Sequence, residues 1–226
     1  MKTEIERELK YQLIETDFEK LQRYIESRNY KKKECIDQVN YYFDTKDYFF
    51  KRNKITMRLR KFAVDDMYEL TIKVPKESNS EIITEHIKTK NEFTIKLKSE
   101  DAQKMLNNRI KDYIDLFIGI SNTSILNEEK VIRGVNFIGE LRTKRFNYVL
   151  EEDESALSLD ISEYLDIRDY EVEWEAKDIE SADCFLKNIF EKLDIKPFNN
   201  VQSKSTRFIN KLIENIKLGA CEIKKI

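Results

Sequence analysis

The sequence predicts an α+β fold in which eight strands close into a barrel and helices pack against its outside. Three observations lead to this prediction: eight segments alternate apolar and polar residues, four segments have helical periodicity, and charged residues gather on one side of several strands. Eight strands are enough to close a barrel. Because the apolar sides must be buried under the helices, we expect the charged sides to face the barrel interior.

The strands are marked by period-two alternation and by enrichment in Tyr, Phe, Ile, Val and Thr. They are predicted at residues 3–13, 38–44, 54–61, 67–74, 81–97, 137–150, 156–161 and 169–176. A first helix is predicted after the capping box Thr16-Asp17-Phe18-Glu19, and a second opens at Ser99. Two more are predicted at 179–193 and 203–218, with Pro197 in the break between them.

The composition is that of a globular protein with balanced charge. Of the 226 residues, 40% are hydrophobic and 37% are charged, and 41 basic residues nearly balance 43 acidic ones. These values exclude wholesale disorder and a general nucleic-acid-binding surface. The 4 glycines and 2 prolines leave few places for a flexible linker, so residues 1–226 are predicted to form a single domain.

The cysteines and the apolar runs predict the cellular compartment. Cys35, Cys184 and Cys221 are odd in number and lack CxxC spacing, which disfavours a disulfide framework and a zinc site. No uncharged apolar stretch reaches about 18 residues, and no apolar run follows the N-terminal residues, so we expect neither a membrane span nor a signal peptide. We therefore expect a cytoplasmic protein that makes no membrane contact.

Charged residues share one side of several predicted strands. Arg58 and Arg60 lie on one side of the third strand, Lys73 lies on the polar side of the fourth, and Glu171 and Glu173 share a side of the eighth. Burying an isolated ion costs more than the marginal stability of a fold, so such charges must pair or hold a ligand. Cations suit phosphate oxygens, and carboxylates suit hard metal ions that bridge those oxygens. The residues alone suggest phosphate handling.

The same residues resemble, in order, the motifs of the CYTH superfamily, the triphosphate tunnel metalloenzymes. The segments that carry the resemblance are Glu6-Arg7-Glu8-Leu9-Lys10 (the ExExK signature), Arg58-Leu59-Arg60 (the RxR strand), Leu70-Thr71-Ile72-Lys73 (the lysine strand), Thr143-Lys144-Arg145 (the later basic strand), Asp160 and Glu171-Val172-Glu173 (the acidic motifs), and Ser203-Lys204 (the C-terminal lysine motif). The resemblance extends over about residues 4–208. With Asn40-Tyr41-Tyr42-Phe43-Asp44 after the first helix, the layout looks most like the stand-alone CYTH proteins of low-GC Gram-positive bacteria.

The resemblance implies an eight-stranded antiparallel tunnel whose interior binds a triphosphate and a divalent metal, Mg²⁺ or Mn²⁺. Activities in the family are hydrolysis of inorganic tripolyphosphate, hydrolysis of thiamine triphosphate or nucleoside triphosphates, and cyclisation of ATP. The implied partner is a small-molecule triphosphate, with no nucleic acid and no membrane. We expect a monomer or a homodimer.

The resemblance and the charge of each residue assign the roles. The residues expected to bind phosphate oxygens are Lys10, Arg58, Arg60, Lys73, Arg145 and Lys204, and those expected to hold metal ions are Glu6, Glu8, Glu171 and Glu173. Asp160, Lys73 and Glu173 are the candidate catalytic residues. Asp160 would either position the attacking water or ligate a metal. Lys204, arriving from the last helix, would close the tunnel on the substrate.

Three further residues have weaker claims to the site. Glu85 aligns with an acidic residue on a middle strand of the family, but Ile83 and Ile87 share its side, so it faces outward or the strand bulges there. Glu175 continues the side of Glu173 and is expected to be a solvated carboxylate at the strand end. His86, the single histidine, is expected to be a surface or packing residue.

The leading functional prediction is metal-dependent hydrolysis of a linear triphosphate, either inorganic tripolyphosphate or a small organic triphosphate such as thiamine triphosphate. One alternative is an adenylyl cyclase of the class IV type, although no segment encodes adenine recognition. Another is a non-catalytic module that binds triphosphate or polyphosphate, which would have little use for five carboxylates unless metal ions neutralise them. The last is a structural barrel with internal salt bridges, which stabilise a fold poorly compared with an apolar core.

Overall fold

The computed structural model describes residues 2–28, 30–63, 67–75, 86–107, 134–150, 156–199 and 202–219. Its strands are β1 (Lys2–Leu13), β2 (Lys31–Thr45), β3 (Thr56–Phe62), β4 (Met67–Pro75), β5 (Ile87–Lys98), β6 (Val135–Val149), β7 (Ala156–Tyr164) and β8 (Ile167–Trp174). They form a closed antiparallel barrel in the order β1-β5-β4-β3-β2-β6-β7-β8. The predicted fold class is confirmed.

The strand order decides which walls of the barrel face each other. The ring closes where β8 pairs with β1, with Lys10 opposite Glu173 and Gln12 opposite Glu171. In a ring of eight, strands four places apart lie on opposite sides, so β3 faces β8 and β5 faces β6. Side chains alternate along each strand, and one set therefore points into a shared interior.

Five helices belong to the described residues: α1 (Glu15–Ser27), α2 (Phe49–Arg52), α3 (Ser99–Leu106), α4 (Ile179–Leu193) and α5 (Lys204–Lys217). Helices α1 and α4 cover the outer face of β1 and β8, where Leu21 and Leu186 join a cluster that contains Leu9 and Val172. Burying these apolar faces fixes which side of each strand points inward. No helix in the described part of the chain is long and apolar enough to cross a membrane.

Helix α5 lies across one end of the barrel. Its Phe208 is fully buried, stacks on Tyr42 with ring centroids 5.4 Å apart, and meets the ring of Tyr164 edge-on at 6.0 Å. The chain passes close to this ring at Gly139, where a Cβ atom would lie 2.7 Å from Phe208 and where φ is +145°. Glycine is therefore required at this position, both by the space and by the backbone conformation.

Several element boundaries differ from the prediction. Strand β2 begins at Lys31 instead of residue 38, because it pairs with β6 along its whole length. Helix α2 was not predicted, since four residues are too few to show a helical period. It is held by the buried carboxylate of Asp44, which accepts hydrogen bonds from the backbone N–H groups of Phe50 at 2.8 Å and Lys51 at 3.1 Å. The predicted strand segment 81–85 lies outside the described residues.

Candidate functional site

The barrel encloses a charged cavity of about 710 Å³. Seven of the eight strands contribute to its lining, together with the residues that follow β8 and the start of α5. The lining residues that carry charge are Glu6, Arg7, Glu8, Lys10, Arg58, Arg60, Lys73, Lys90, Glu92, Arg145, Glu173, Glu175, Lys177 and Lys204. A cavity of this size and polarity is suited to a small, highly charged ligand.

The largest group of charges is the paired cluster, which consists of Lys10, Arg145, Asp160, Glu171, Glu173 and Lys204. The ammonium of Lys204 donates to Asp160 Oδ2 at 2.7 Å and to Glu173 Oε1 at 2.5 Å, and it lies 2.7 Å from Glu171 Oε2. Arg145 donates two parallel hydrogen bonds to Asp160, at 2.7 and 2.6 Å, and also contacts Glu173. Three cations meet three carboxylates, so the cluster is neutral as a whole.

Mutual attraction keeps the members of the paired cluster ionised. Burial alone would lower the pKa of Lys10, but the charges of Glu173 and Glu8 outweigh burial and hold this pKa well above its usual value. Burial alone would raise the pKa of Glu173, but Lys10 and Lys204 outweigh it and hold this pKa well below its usual value. Both groups are therefore charged at neutral pH, despite being buried.

A second ion-pair group lies where β4 and β5 meet β1. Lys73 contacts the carboxylate of Glu6 and lies 2.7 Å from Glu92 Oε2. Thr94 Oγ1 donates to the other oxygen of Glu92 at 3.1 Å. Burial raises the pKa of Glu92, but the charge of Lys73 outweighs it, so the net shift is downward.

Arg58 and Arg60, the arginine wall on β3, have no carboxylate partner among the described residues. Arg58 Nε is buried and has no hydrogen-bond partner among the described residues. Arg60 Nε donates to the neutral amide oxygen of Asn40 at 2.9 Å. Burial, followed by the charges of Arg58 and Arg145, lowers the pKa of Arg60 to about 9. Positive charge on this wall is thus in excess, which is the electrostatic condition for binding an anion.

Glu6, Glu8 and Glu173, the carboxylate wall on β1 and β8, lie on the other side of the cavity. Burial raises the pKa of Glu8, and Glu173 and Glu6 raise it further against the attraction of Lys10, whose Nζ lies 3.2 Å from Glu8 Oε1. Carboxylate oxygens are the ligands that a hard divalent cation prefers, so the donor set fits Mg²⁺ or Mn²⁺, although each of the three carboxylates also contacts a lysine. In the described residues, no three acidic, His or Cys side chains already form a metal-binding group.

The structure brings most of the predicted site residues to the cavity. All six predicted phosphate-binding residues line it, as do Glu6, Glu8 and Glu173. Glu171 and Asp160 do not line it: both are fully buried, under Lys204 and behind Arg145. Glu175 lies at the cavity rim beyond the end of β8 and is exposed, in line with the expectation of a solvated carboxylate. Glu85 lies outside the described residues.

Sequence reasoning missed four residues that belong to the charged interior: Asn40, Lys90, Glu92 and Arg207. Lys90 and Glu92 alternate with Asn91 and Phe93 within the predicted fifth strand, and this pattern could have identified them. Arg207 follows Lys204 by three residues and so shares its helix face. It donates to Asp169 Oδ2 at 2.7 Å and to Glu171 Oε1 at 2.9 Å.

The sequence matches the model of the CYTH domain over residues 4–208. This range begins in β1 and ends within α5, and therefore includes every strand of the barrel and all of the paired cluster. No curated protein matches the chain.

Three solved structures have the same fold. A candidate adenylate cyclase from Bacillus halodurans has 25% identity and a TM-score of 0.67, and the match covers 92% of this chain and 99% of that one. A candidate adenylyl cyclase from Hippeastrum, described as having a dominant triphosphatase activity, has 20% identity and a TM-score of 0.71, with 91% and 95% covered. A Pyrococcus horikoshii protein has 19% identity and a TM-score of 0.56, with 92% and 99% covered.

Proposed function

The chain belongs to the CYTH domain family, and from this premise we propose that it hydrolyses a linear triphosphate, inorganic or carried by a small organic group, with the help of Mg²⁺ or Mn²⁺. One observation carries the proposal: inside one cavity, an arginine wall with an unsatisfied donor, Arg58 Nε, faces β8 of the carboxylate wall across the barrel. Arginines attract phosphate oxygens, and carboxylates attract a metal ion. A metal-bound triphosphate is a ligand that uses both walls.

Arg58 and Arg60 are proposed to bind the phosphate chain directly. A guanidinium presents its donors in a planar fork that matches two phosphate oxygens at once, and Arg58 Nε has no other partner among the described residues. Lys10 and Lys73 already contact carboxylates, so they would reach the phosphate by exchanging one of those contacts. Their ammonium groups are compact and can change partners with little movement of the side chain.

The carboxylate wall is proposed to hold the divalent ion. Glu6, Glu8 and Glu173 supply the oxygen donors, and when bound the ion neutralises phosphate charge and acidifies a water. Lys10 lies between Glu8 and Glu173, at 3.2 and 2.6 Å, so its ammonium has to move aside when these carboxylates take a metal. The arriving phosphate offers it a new anionic partner.

Asp160 is proposed to act as a positioning residue. Its two carboxylate oxygens receive both hydrogen bonds of Arg145 and that of Lys204, and none of its surface is exposed. Saturated in this way, Asp160 fixes the direction in which Arg145 and Lys204 point. This arrangement favours orientation of the cations over the water-positioning and metal-ligating roles.

The second candidate function is cyclisation of ATP, which the likeness to the candidate adenylate cyclase of Bacillus halodurans favours. Hydrolysis and cyclisation differ in their products. Cyclisation releases pyrophosphate and cyclic AMP from ATP, whereas hydrolysis at the terminal group releases phosphate. Product identity therefore separates the two functions without any assumption about the binding mode.

The experiment that tests the proposal measures products from tripolyphosphate, thiamine triphosphate and ATP, each with Mg²⁺, with Mn²⁺ and with a chelator. We expect metal-dependent phosphate release from at least one of them, and its loss in the Glu8→Gln variant. Formation of cyclic AMP and pyrophosphate from ATP would refute hydrolysis and support cyclisation. Tight triphosphate binding without any product would reduce the protein to a binding module and refute the proposed reaction.

The proposed location is the cytoplasm, where small phosphorylated metabolites and free Mg²⁺ are available. Cys35 and Cys184 are free and exposed thiols, which a reducing compartment keeps in that state.

A further inference from the structure

Lys90 is a cavity residue that the motif series does not include. It lies on β5 in register with Glu6 of β1 and points to the same interior as Glu92, two residues further along the strand. Strand β5 faces β6 across the barrel, so Lys90 lies on the wall opposite Arg145. Its side chain is half-buried, which places the ammonium where solvent only partly compensates its charge.

Among the described residues, Lys10, Lys73 and Lys204 of the cavity have anionic partners, and Lys90 does not. Lys73 contacts Glu6 and Glu92, while Lys10 and Lys204 contact Glu173. No carboxylate whose side chain the structure describes forms an ion pair or hydrogen bond with Lys90. The nearest acidic groups of this wall are thus already occupied by Lys73, and Lys90 adds a surplus positive charge.

The whole described lining has the same surplus. Nine of its side chains are cationic and five are carboxylates, and the buried Asp160 and Glu171 that pair with Arg145 and Lys204 bring the carboxylates to seven. Inorganic tripolyphosphate carries more negative charge than a triphosphate ester, because both of its terminal groups ionise twice whereas an ester has one such end. A cavity with cations on opposite walls can pair both of these doubly ionised ends with positive charge.

The described lining offers little to an organic group. Its only aromatic side chain is Tyr42, which is 4% exposed and stacks on Phe208. The remaining apolar residues of this lining are Ile5 and Ala176. A nucleobase or thiazolium ring gains most of its affinity from stacking and apolar contact, and the part of the cavity that the structure describes provides no free aromatic face for either.

We propose that Lys90 is a specificity-determining residue that binds a phosphate group from the wall opposite Arg145 and thereby favours an inorganic polyphosphate chain over a triphosphate ester. The inference rests on the proposed function, because it concerns the same cavity. Lys90 supplies one more charge-assisted hydrogen bond to a chain with two fully ionised ends, and a weaker one to an ester whose second end is singly charged.

The test is calorimetric binding of tripolyphosphate and of ATP, without metal and in a chelator, to the unsubstituted protein and to three variants. Lys90→Gln should weaken tripolyphosphate binding about ten-fold and ATP binding by no more than about three-fold. Lys90→Arg should restore most of the lost affinity. Lys96→Gln is the matched control, because Lys96 is on the same strand but is exposed and does not line the cavity.

Four results would overturn the inference. Equal losses for the two ligands would remove the role in specificity, and an unchanged affinity for tripolyphosphate would remove the phosphate contact; neither would affect the proposed hydrolysis. Failure of the unsubstituted protein to bind either ligand, both in the chelator and with Mg²⁺ present, would overturn the proposed function together with the inference. A shift of the thermal unfolding midpoint in Lys90→Gln, with no shift in Lys90→Arg, would show that the loss of binding comes from a change in the fold and not from a lost phosphate contact.

Discussion

The paired cluster and the arginine wall lie in the same barrel, but they differ in whether their cations have carboxylate partners. In the paired cluster, every cation has a carboxylate within 2.7 Å, and Asp160 and Glu171 have no exposed surface. On the arginine wall, Arg58 has a buried Nε without a partner among the described residues, and Arg60 donates to a neutral amide. The first region satisfies its own charges, whereas the second has no charged partner among the described residues.

We propose that this difference separates charges that stabilise the barrel, namely Asp160 with Arg145 and Lys204, from charges that bind the ligand. Buried ion networks gain little over apolar packing, but breaking one by removing a single partner is expensive. Removing a cation that has no anionic partner costs the folded protein little and costs the bound state a direct contact. Substitutions in the paired cluster should therefore change stability, whereas substitutions on the arginine wall should change ligand binding.

The largest effect is expected for Asp160→Asn, which leaves Arg145 and Lys204 buried with too little negative charge. We expect the free energy of unfolding to fall by about 3 to 5 kcal/mol. Urea denaturation followed by circular dichroism measures the change. A midpoint equal to that of the unsubstituted protein would mean that the paired cluster does not stabilise the barrel.

Glu8→Gln should affect the reaction more than the fold. Loss of one carboxylate donor from the proposed metal site should lower metal-dependent turnover by about 100-fold or more. The measurement is phosphate release at saturating metal, with metal affinity determined separately by calorimetry. Near-normal turnover would refute the assignment of Glu8 as a metal donor.

The same variant should change how stability depends on pH. The pKa of Glu8 is raised in the folded protein above its ordinary value of 4.5, mainly by burial, so ionising this group destabilises the fold. Glu8→Gln removes that cost and should be more stable at neutral pH. The advantage should disappear as pH falls below 4.5, where Glu8 is protonated in both folded and unfolded states. An advantage that persists at low pH would exclude the titration of Glu8 as its cause.

Arg60→Gln should produce the reverse pattern to Asp160→Asn. We expect tripolyphosphate affinity to fall about ten-fold, since one charge-assisted contact is lost, while stability stays within about 0.5 kcal/mol or rises. The reason is that burial and the charge of Arg58 already lower the pKa of Arg60 to about 9. A large loss of stability would place Arg60 with the structural charges.

The smallest effect is expected for Arg168→Gln, on the outside of the barrel. Arg168 pairs with Glu163 at 2.5 Å, but the two side chains are 58% and 51% exposed. An exposed pair of this kind contributes only about 0.5 kcal/mol, so unfolding, binding and turnover should all stay near the unsubstituted values. A change of more than about 1 kcal/mol in the free energy of unfolding would show that a short distance alone makes an ion pair stabilising. That result would contradict the distinction between the paired cluster and the arginine wall.

Strand alternation was enough to predict which side of β3 and β4 faces the interior. Arg58, Arg60 and Lys73 line the cavity as their positions along the strands required. How deeply each inward side chain is buried was not predictable in the same way. Glu171 and Glu173 share a side of β8, but only the packing of α5 against the barrel places Lys204 and Arg207 over Glu171 and buries it.

Pairing between distant segments explains the other misses. Alternation could have placed Glu92 on the inner side of β5, but its pairing with Lys73 comes from the register of β4 and β5, which no local pattern reveals. Helix α2 depends on the side chain of Asp44 bonding to backbone six residues away, and not on any helical period. The roles of the cavity residues also follow from their partners, which only the assembled barrel brings together.

The most direct test of the central claim is a crystal structure of the Glu8→Gln variant with tripolyphosphate and Mg²⁺, since this variant should bind the substrate and cleave it slowly. We expect phosphate oxygens within hydrogen-bond distance of Arg58 and Arg60, while Arg145 and Lys204 keep their contacts with Asp160. Tripolyphosphate outside the cavity, or inside it with both arginines unengaged, would contradict the division between a paired cluster and a ligand-binding arginine wall.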